Sequence, residues 1–494
     1  MRFADRTRLI ASACCAGLVA CDAPAEDARE IEIVNVITRA DQSLAINRPE
    51  LVAGKYRLMA GDAYAFFRGT FPLYLHDVET NVAGVAASPH SADVSPYSIG
   101  DAHLENFGTL LAGDGTLGLE ANDLDGADRY PYLVEVRRLV ISAVIATRLS
   151  NPDDEDARSL AVAAERDNAY ELARSYAETI RAIAEGAPRE PQLDGGESPV
   201  ILDLFDRAQE DLEDRSELEE LTIVEDGARR LVRGSVDEDV PENVYVDAPS
   251  VVMNALPAAL ARYRTTLKEP PPPAFFGLKD AVREHGSGVA SWPRVRFILL
   301  VEGPSEELDD DVMLELKEIA DSGARPASFT SVNADDIGGR VLGAQATCWT
   351  RTDAEPLWGM TDLLGLSVQI KRESEAEKTI RVRRLEEEIG TPEALSALST
   401  DLGRMLAKVH AGSDAIEPGL SSKIASAIGK DVDAFAEEQA GVAIAYADLV
   451  IADHARFVHA LETLGPVLGT TPRGDDGHDP DAAALIGTPP EVTP

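Results

Sequence analysis

The sequence predicts an α+β protein of two lobes, the larger one mostly helical, with the parts of its candidate site set along the chain in an unusual order. Three blocks predict it. The first is a loop at Gly100–Gly108 with the spacing Asp-x-x-x-x-Asn. The second is a short alternating strand from Leu117 that ends in the carboxylates of Asp123 and Asp125. The third is a glycine-rich turn at His285–Ser291, followed by two strands, the second of which carries Lys317.

Size and composition set the frame. A chain of 494 residues holds two or three ordinary domains or one large two-lobed one, and an apolar fraction of 44% supports a sizeable core. The net charge of −41 is spread along the chain. This argues against nucleic acid as a partner, which needs a basic surface, and fits a solvated acidic exterior. No apolar run after the first twenty residues is long enough to span a membrane.

The amino terminus is more specific. Arg2, Arg6 and Arg8 precede a short apolar stretch, Leu9–Ala20, in the pattern of an export signal. Leu18-Val19-Ala20-Cys21 resembles the lipobox of bacterial lipoproteins, which implies lipid on Cys21 and anchoring of the exported chain at a membrane of the cell envelope. Cys14 and Cys15 belong to the leader and Cys348 stands alone, so neither a disulfide nor a cysteine metal site is expected.

Taken in order, residues 1–20 are the leader and 21–30 a polar tether. Residues 31–267 form the lobe that bears the Asp-x-x-x-x-Asn loop. Within it Asp153–Glu185 has helical apolar spacing at Leu172, Tyr176, Ile180 and Ile183, and Ala187–Pro199 reads as a loop. Pro270–Pro273 is a stiff break. Residues 275–384 form the smaller lobe, with strands over Arg294–Val301 and Val312–Glu318. Residues 385–469 are helices, with Leu402, Met405, Leu406 and Val409 on one face, and 470–494 read as a disordered tail.

The three blocks carry chemistry together. In a kinase catalytic loop the Asp orients or deprotonates the attacking hydroxyl and the Asn offers an oxygen to magnesium. Asp101 and Asn106 stand at that spacing. A second carboxylate behind the loop holds the metal on the phosphates; Asp123 is the first choice and Asp125 the reserve. Glycines let backbone approach phosphate, so Gly286, Ser287 and Gly288 are the candidate cover, and a strand lysine, Lys317, would neutralise the phosphates. Strand alternation places Lys317 opposite Val312, Leu314 and Leu316. Alone, the first block reads better as an Asx-rich turn before a strand, and the glycine turn as a surface hairpin.

Phe66–Thr70, Gly100–Gly108, Asn122–Asp125, Arg137–Leu139, Leu314–Glu318 and Leu406–Ala411 resemble the bacterial family catalogued as domain of unknown function 2252, over about Lys55 to Leu461. That family is in turn similar to aminoglycoside phosphotransferases and related kinase-like folds. The resemblance implies a kinase-like fold, with ATP or another nucleotide and magnesium as ligands and an acceptor of unknown kind. It also implies Asp101 as base, Asn106 and Asp123 as metal ligands, and Lys317 with the Gly286–Gly288 turn on the phosphates.

Because the loop and carboxylates precede the glycine turn and lysine, the expected fold is circularly permuted. Arg68 and His103 lie in matching motifs without an assigned role; for Arg68 a buried ion pair is expected. Glu315 stands where a kinase keeps a small residue against adenine, and Asn333–Thr350 holds no Glu to pair with Lys317. Export also removes the chain from ATP. A kinase-like phosphotransferase therefore competes with an exported pseudokinase-like binding module and, further behind, a metallophosphoesterase.

Overall fold

Tyr132–Leu149 carries Leu, Val, Ile and Ala on every face, a composition suited to a helix enclosed on all sides. In the computed structural model it is such a helix, buried from Tyr132 to Thr147. The structure describes residues 27–149, 155–235, 244–319, 331, 336–382 and 391–471. The leader with Cys21 and the tail from 472 lie outside them.

The described chain opens with α1 (Ala28–Asn47), α2 (Pro49–Gly61), α3 (Ala63–Gly69) and α4 (Phe71–Thr80). Asp27 and Asp62 cap α1 and α3 by accepting backbone N–H bonds, and prolines sit in the first turns of α2 and α4, where no donor is lost. Four short strands follow: β1 (Tyr97–Ser98), β2 (Phe107–Leu111), β3 (Leu117–Ala121) and β4 (Asp128–Arg129). The enclosed helix is α5 (Tyr132–Leu149). Next come α6 (Glu155–Ala184), α7 (Pro199–Asp214), α8 (Ser216–Leu221), β5 (Thr222–Glu225), β6 (Ala228–Leu231), β7 (Gly234–Ser235), β8 (Val244–Asp247) and α9 (Ser250–Arg264). The sheet segment continues through β9 (Leu278–His285), β10 (Arg296–Val301), β11 (Val312–Glu318), α10 (Ile337–Cys348), β12 (Gly359–Leu363) and β13 (Leu366–Arg372). The chain closes with α11 (Pro392–Ala411), α12 (Leu420–Ile428) and α13 (Val432–Leu464).

Helices α5, α6, α11 and α13 share one large core. The expected helix at Asp153–Glu185 is α6, with Leu172, Tyr176 and Ile180 fully buried. It lies close against α11 because Gly403 has no side chain: a Cβ there would collide with Ser175 and the Leu172 carbonyl.

Among the described residues the largest sheet has seven strands in the order β12-β13-β11-β10-β9-β8-β7, every neighbouring pair antiparallel. Strand β11 has the expected bounds, whereas β10 starts two residues later than expected, because Arg294 is held in a turn by Ser291. The sheet also recruits chain upstream of position 275, since β8 pairs with β9 and α9 covers one face. On that face Phe297, Leu299, Leu314, Leu316, Val368 and Ile370 form a core with Val252, Leu256, Leu260 and Tyr263 of α9. Alternation sends Arg296, Ile298, Glu315, Lys317, Gln369 and Lys371 to the other face, toward the short strands β1 to β4.

Candidate functional site

The loop that bears Asp101 and the loop that bears Asp123 are held as a pair. Strand β1 pairs with β4 at one end, and β2 with β3 at the other, so residues 99–106 and 122–127 lie between two ladders. They touch at Gly100, whose φ of 98° is open to glycine, and a Cβ there would strike the Gly126 carbonyl. The backbone after β13 runs beside β2, with Thr109 N donating to the Lys378 carbonyl at 2.9 Å and Ile380 N to that of Phe107 at 3.2 Å. This segment ties the sheet to the loops.

Helix α5 fixes the first loop from below. Glu135 accepts the N–H groups of Ile99 (3.2 Å) and Gly100 (2.7 Å). His410 on α11 bonds the same carboxylate through Nε2 at 2.9 Å, and its Nδ1 meets the Tyr176 hydroxyl on α6 at 2.8 Å. Three helices of the bundle thus converge on one turn. One turn of α5 later, Arg138 binds Asp101 Oδ1 through Nε (2.8 Å) and Nη2 (2.6 Å) and donates to the Phe67 carbonyl at 2.7 Å. Its guanidinium also lies 3.7 Å from the Phe67 ring centre. Burial pushes the Asp101 carboxyl up against the pull of Arg138. Oδ1 is engaged by Arg138, so Oδ2 is the oxygen left for chemistry. Asn106 donates Nδ2 to the Asp101 carbonyl at 2.6 Å, which leaves its Oδ1 as the atom for a cation.

Lys317 comes down from β11 and meets both carboxylates of the second loop. Its Nζ is 2.6 Å from Asp125 and 3.5 Å from Asp123. Burial opposes the charge on each partner, but Lys317 holds Asp123 below the usual carboxylate range and the two carboxylates hold Lys317 above the usual amine range. Burial together with Asp123 holds Asp125 high. Helix α10, which the sequence equips with no Glu for Lys317, instead supplies Arg340, buried and bonded to the carbonyls of Asp125 (2.8 Å) and Ala127. The glycine turn lies over the same space. Gly286 and Gly288 have φ of 97° and 74°, and Ser287 Oγ accepts from Arg296 at 2.8 Å. The far side of the turn is pinned to α2, where Trp292 occupies the space a side chain on Gly54 would need.

One cavity of about 510 Å³ is lined by Asp101, Asn106, Asp123, Asp125, Ser287, Gly288 and Lys317, and also by Arg68 and His103. Of the residues singled out in the sequence, Gly286 flanks this lining and Cys21 falls outside the described residues. Arg68 makes the expected ion pair, to Glu105 at 2.6 Å, yet its Nε is buried with no hydrogen-bond partner among the described residues. His103 Nδ1, Asn122 Oδ1 and Asp125 Oδ1 are orphaned in the same way. Burial, with Arg68 adding to it, pushes the His103 imidazole well below its usual range. Buried polar atoms gathered without partners around one cavity suit a polar ligand that completes their bonds.

A metal position is available only in part from protein. No group of three or more His, Cys, Asp or Glu side chains is arranged to hold a metal among the described residues. Asp123 and Asn106 can supply one carboxylate and one amide oxygen, the sparse set that Mg²⁺ accepts when substrate phosphates and waters complete its octahedron. The model for the family described as an uncharacterized protein conserved in bacteria, domain of unknown function 2252, matches residues 47–460. The chain belongs to this family. No curated protein and no solved structure matches it. Arg138, Glu135 and His410 hold the first loop, a task their spacing in sequence does not reveal.

Proposed function

We propose that the chain is a kinase-like phosphotransferase, built on a permuted two-lobed fold, that uses a magnesium nucleotide on an acceptor yet to be found. The observation that carries this reading is the meeting of Lys317 with Asp123 and Asp125 across a cavity that also holds Asp101 and Asn106. The order of parts supports it too. Strand β9, the glycine turn, β10, β11 with its lysine and then a helix follow one another as the parts of a kinase small lobe do.

The residues fit the chemistry as follows. Asn106 Oδ1 and Asp123 would hold the Mg²⁺, which draws charge off the phosphates. Lys317 and the N–H groups of the glycine turn would neutralise the phosphate oxygens. Asp101 Oδ2 would accept the proton of the acceptor hydroxyl as its oxygen bonds to phosphorus and the bond to the leaving nucleotide oxygen breaks. Arg138 keeps that carboxylate aimed.

A second reading, an exported binding module without catalysis, is favoured by the buried ion pair of Glu315 and Arg296 at 2.8 Å, where a kinase keeps an apolar slot for adenine. Anchoring through Cys21 belongs to either reading and rests on the leader alone. Among the described residues no helix is long and apolar enough to cross a membrane. The metallophosphoesterase reading calls for a metal-pair cluster, and the sparse ligand set described above gives it no support.

Thermal melting of the full chain with ATP or GTP, each with and without magnesium, tests the proposal. A ligand present at a hundred times its Kd adds about 2.7 kcal/mol to the folded state. The expected result is a magnesium-dependent rise in Tm with at least one nucleotide, lost in Asp123→Ala. No rise with either at millimolar concentration would sink the phosphotransferase and leave the binding module.

A further inference from the structure

The sheet side of the cavity, around Lys317, is built unlike an adenine slot. Across β9, β10, β11 and β13 one face presents Glu284, Arg296, Glu315, Gln369 and Lys371, all lining the cavity. Two pairs settle among themselves: Glu315 with Arg296 at 2.8 Å, and Lys371 with Glu377 at 2.6 Å. Glu284 does not. It is 6% exposed, it faces the cavity, and Arg296 stands 3.8 Å from it, beyond hydrogen-bond reach. Gln369 is 2% exposed and accepts the Trp358 indole N–H at its Oε1 (3.2 Å), while its amide N–H₂ has no partner among the described residues. A buried carboxylate lacking hydrogen bonds and a buried amide with free donors therefore look into one space.

Resting on the nucleotide reading above, we infer that this side of the cavity recognises guanine, with the Glu284 carboxylate taking the N1–H and 2-amino donors of the base. The chemistry of the bases decides between the two purines. Guanine presents two adjacent donors to a carboxylate, in a charge-assisted bidentate contact. Adenine presents one donor beside the lone pair of N1, which an ionised carboxylate repels. A site whose buried polar groups are left unpaired by the wrong ligand discriminates strongly, while an apolar slot does not. The ion pairs of Glu315 and Lys371 set charge where adenine would need apolar contact, so the same residues act against ATP.

The test compares Mg²⁺ complexes of GTP, ITP and ATP by titration against the full chain, read as the concentration that gives half the maximal rise in Tm. GTP is expected to act at a concentration at least ten-fold below ATP. ITP, which keeps N1–H and lacks the 2-amino group, falls between them. Glu284→Gln is expected to bring GTP to within about three-fold of ATP, because it weakens the contact with guanine and removes the repulsion of adenine N1. Binding of ATP as tight as GTP, with the rise still abolished by Asp123→Ala, would overturn the guanine assignment and leave the phosphotransferase reading standing. A GTP preference that survives Glu284→Gln would overturn the role of Glu284. No response to any of the three would remove both readings. The wild-type series decides the assignment even if the variant fails to fold.

Discussion

Replacing Arg138 by methionine should lower the stability of the folded chain by about 3–5 kcal/mol, among the largest losses a single substitution can give here. The side chain is 1% exposed and is surrounded by groups that need its charge. Without it the Asp101 carboxylate, 18% exposed and already pushed up by burial, loses its paired guanidinium, and the rings of Phe67, Phe71 and Tyr74 lose the cation they pack against. The Phe67 carbonyl loses its shortest hydrogen bond as well and keeps only the longer ones from Thr70. Methionine fills much of the volume, so the loss reports charge and hydrogen bonding rather than a cavity. Adding Asp101→Asn should return part of it, because the stranded charge is then gone, and the two changes couple as contacting residues do. Urea denaturation of the two single variants and the double variant measures this. Additive losses would show that the two side chains do not depend on one another.

Glu284→Gln should act in the opposite direction and depend on pH. Burial pushes the Glu284 carboxyl up from 4.5 to about 7, opposed by Arg296 and reinforced by Glu315. Its folded-state value therefore lies above its unfolded one. The folded chain binds more protons between about pH 4.5 and 7, so stability falls as pH rises through that window and the penalty is complete above it. Glutamine has nothing to ionise. The variant should match the parent near pH 4 and exceed it at pH 8 by an amount on the order of 3 kcal/mol. Chemical denaturation at the two pH values checks the sign, and equal stabilities at pH 8 would mean that Glu284 carries no such penalty. A binding residue held at a cost to the fold is what a recognition site built for a ligand's N–H donors entails.

Local rules made some of this site legible and topology hid the rest. Lys317 could be placed because a strand alternates: with Leu314 and Leu316 in one core, the lysine had to face the other way. Asp101, Asn106 and Asp123 could be placed because their spacings fit one loop and the end of one hairpin. Arg68 was legible as an ion pair since a carboxylate, Glu105, lay within the adjacent motif. The hold on Gly100 was not legible. It needs Glu135 on α5, His410 on α11 and Tyr176 on α6 to meet, and no periodicity within one helix says which helix it will pack against. Glu315 stood out in sequence as a carboxylate in an odd place, but its partner Arg296 emerges only from the register of β10 with β11. The upstream edge of the sheet was missed for the same reason: β8 is short, and only its pairing with β9 assigns it.

The phosphotransferase reading puts a metal–nucleotide between the Asp123 loop and Lys317. Crystals of the chain grown with Mn²⁺ and a non-hydrolysable nucleotide analogue test it most directly, since the anomalous signal of manganese marks the metal without assumption about the ligand. The expected result is a peak within coordination distance of both Asn106 Oδ1 and an Asp123 carboxylate oxygen, with phosphate oxygens completing the shell and Lys317 turned onto them. Nucleotide density with its phosphates elsewhere, or a manganese peak away from these two residues, would contradict it.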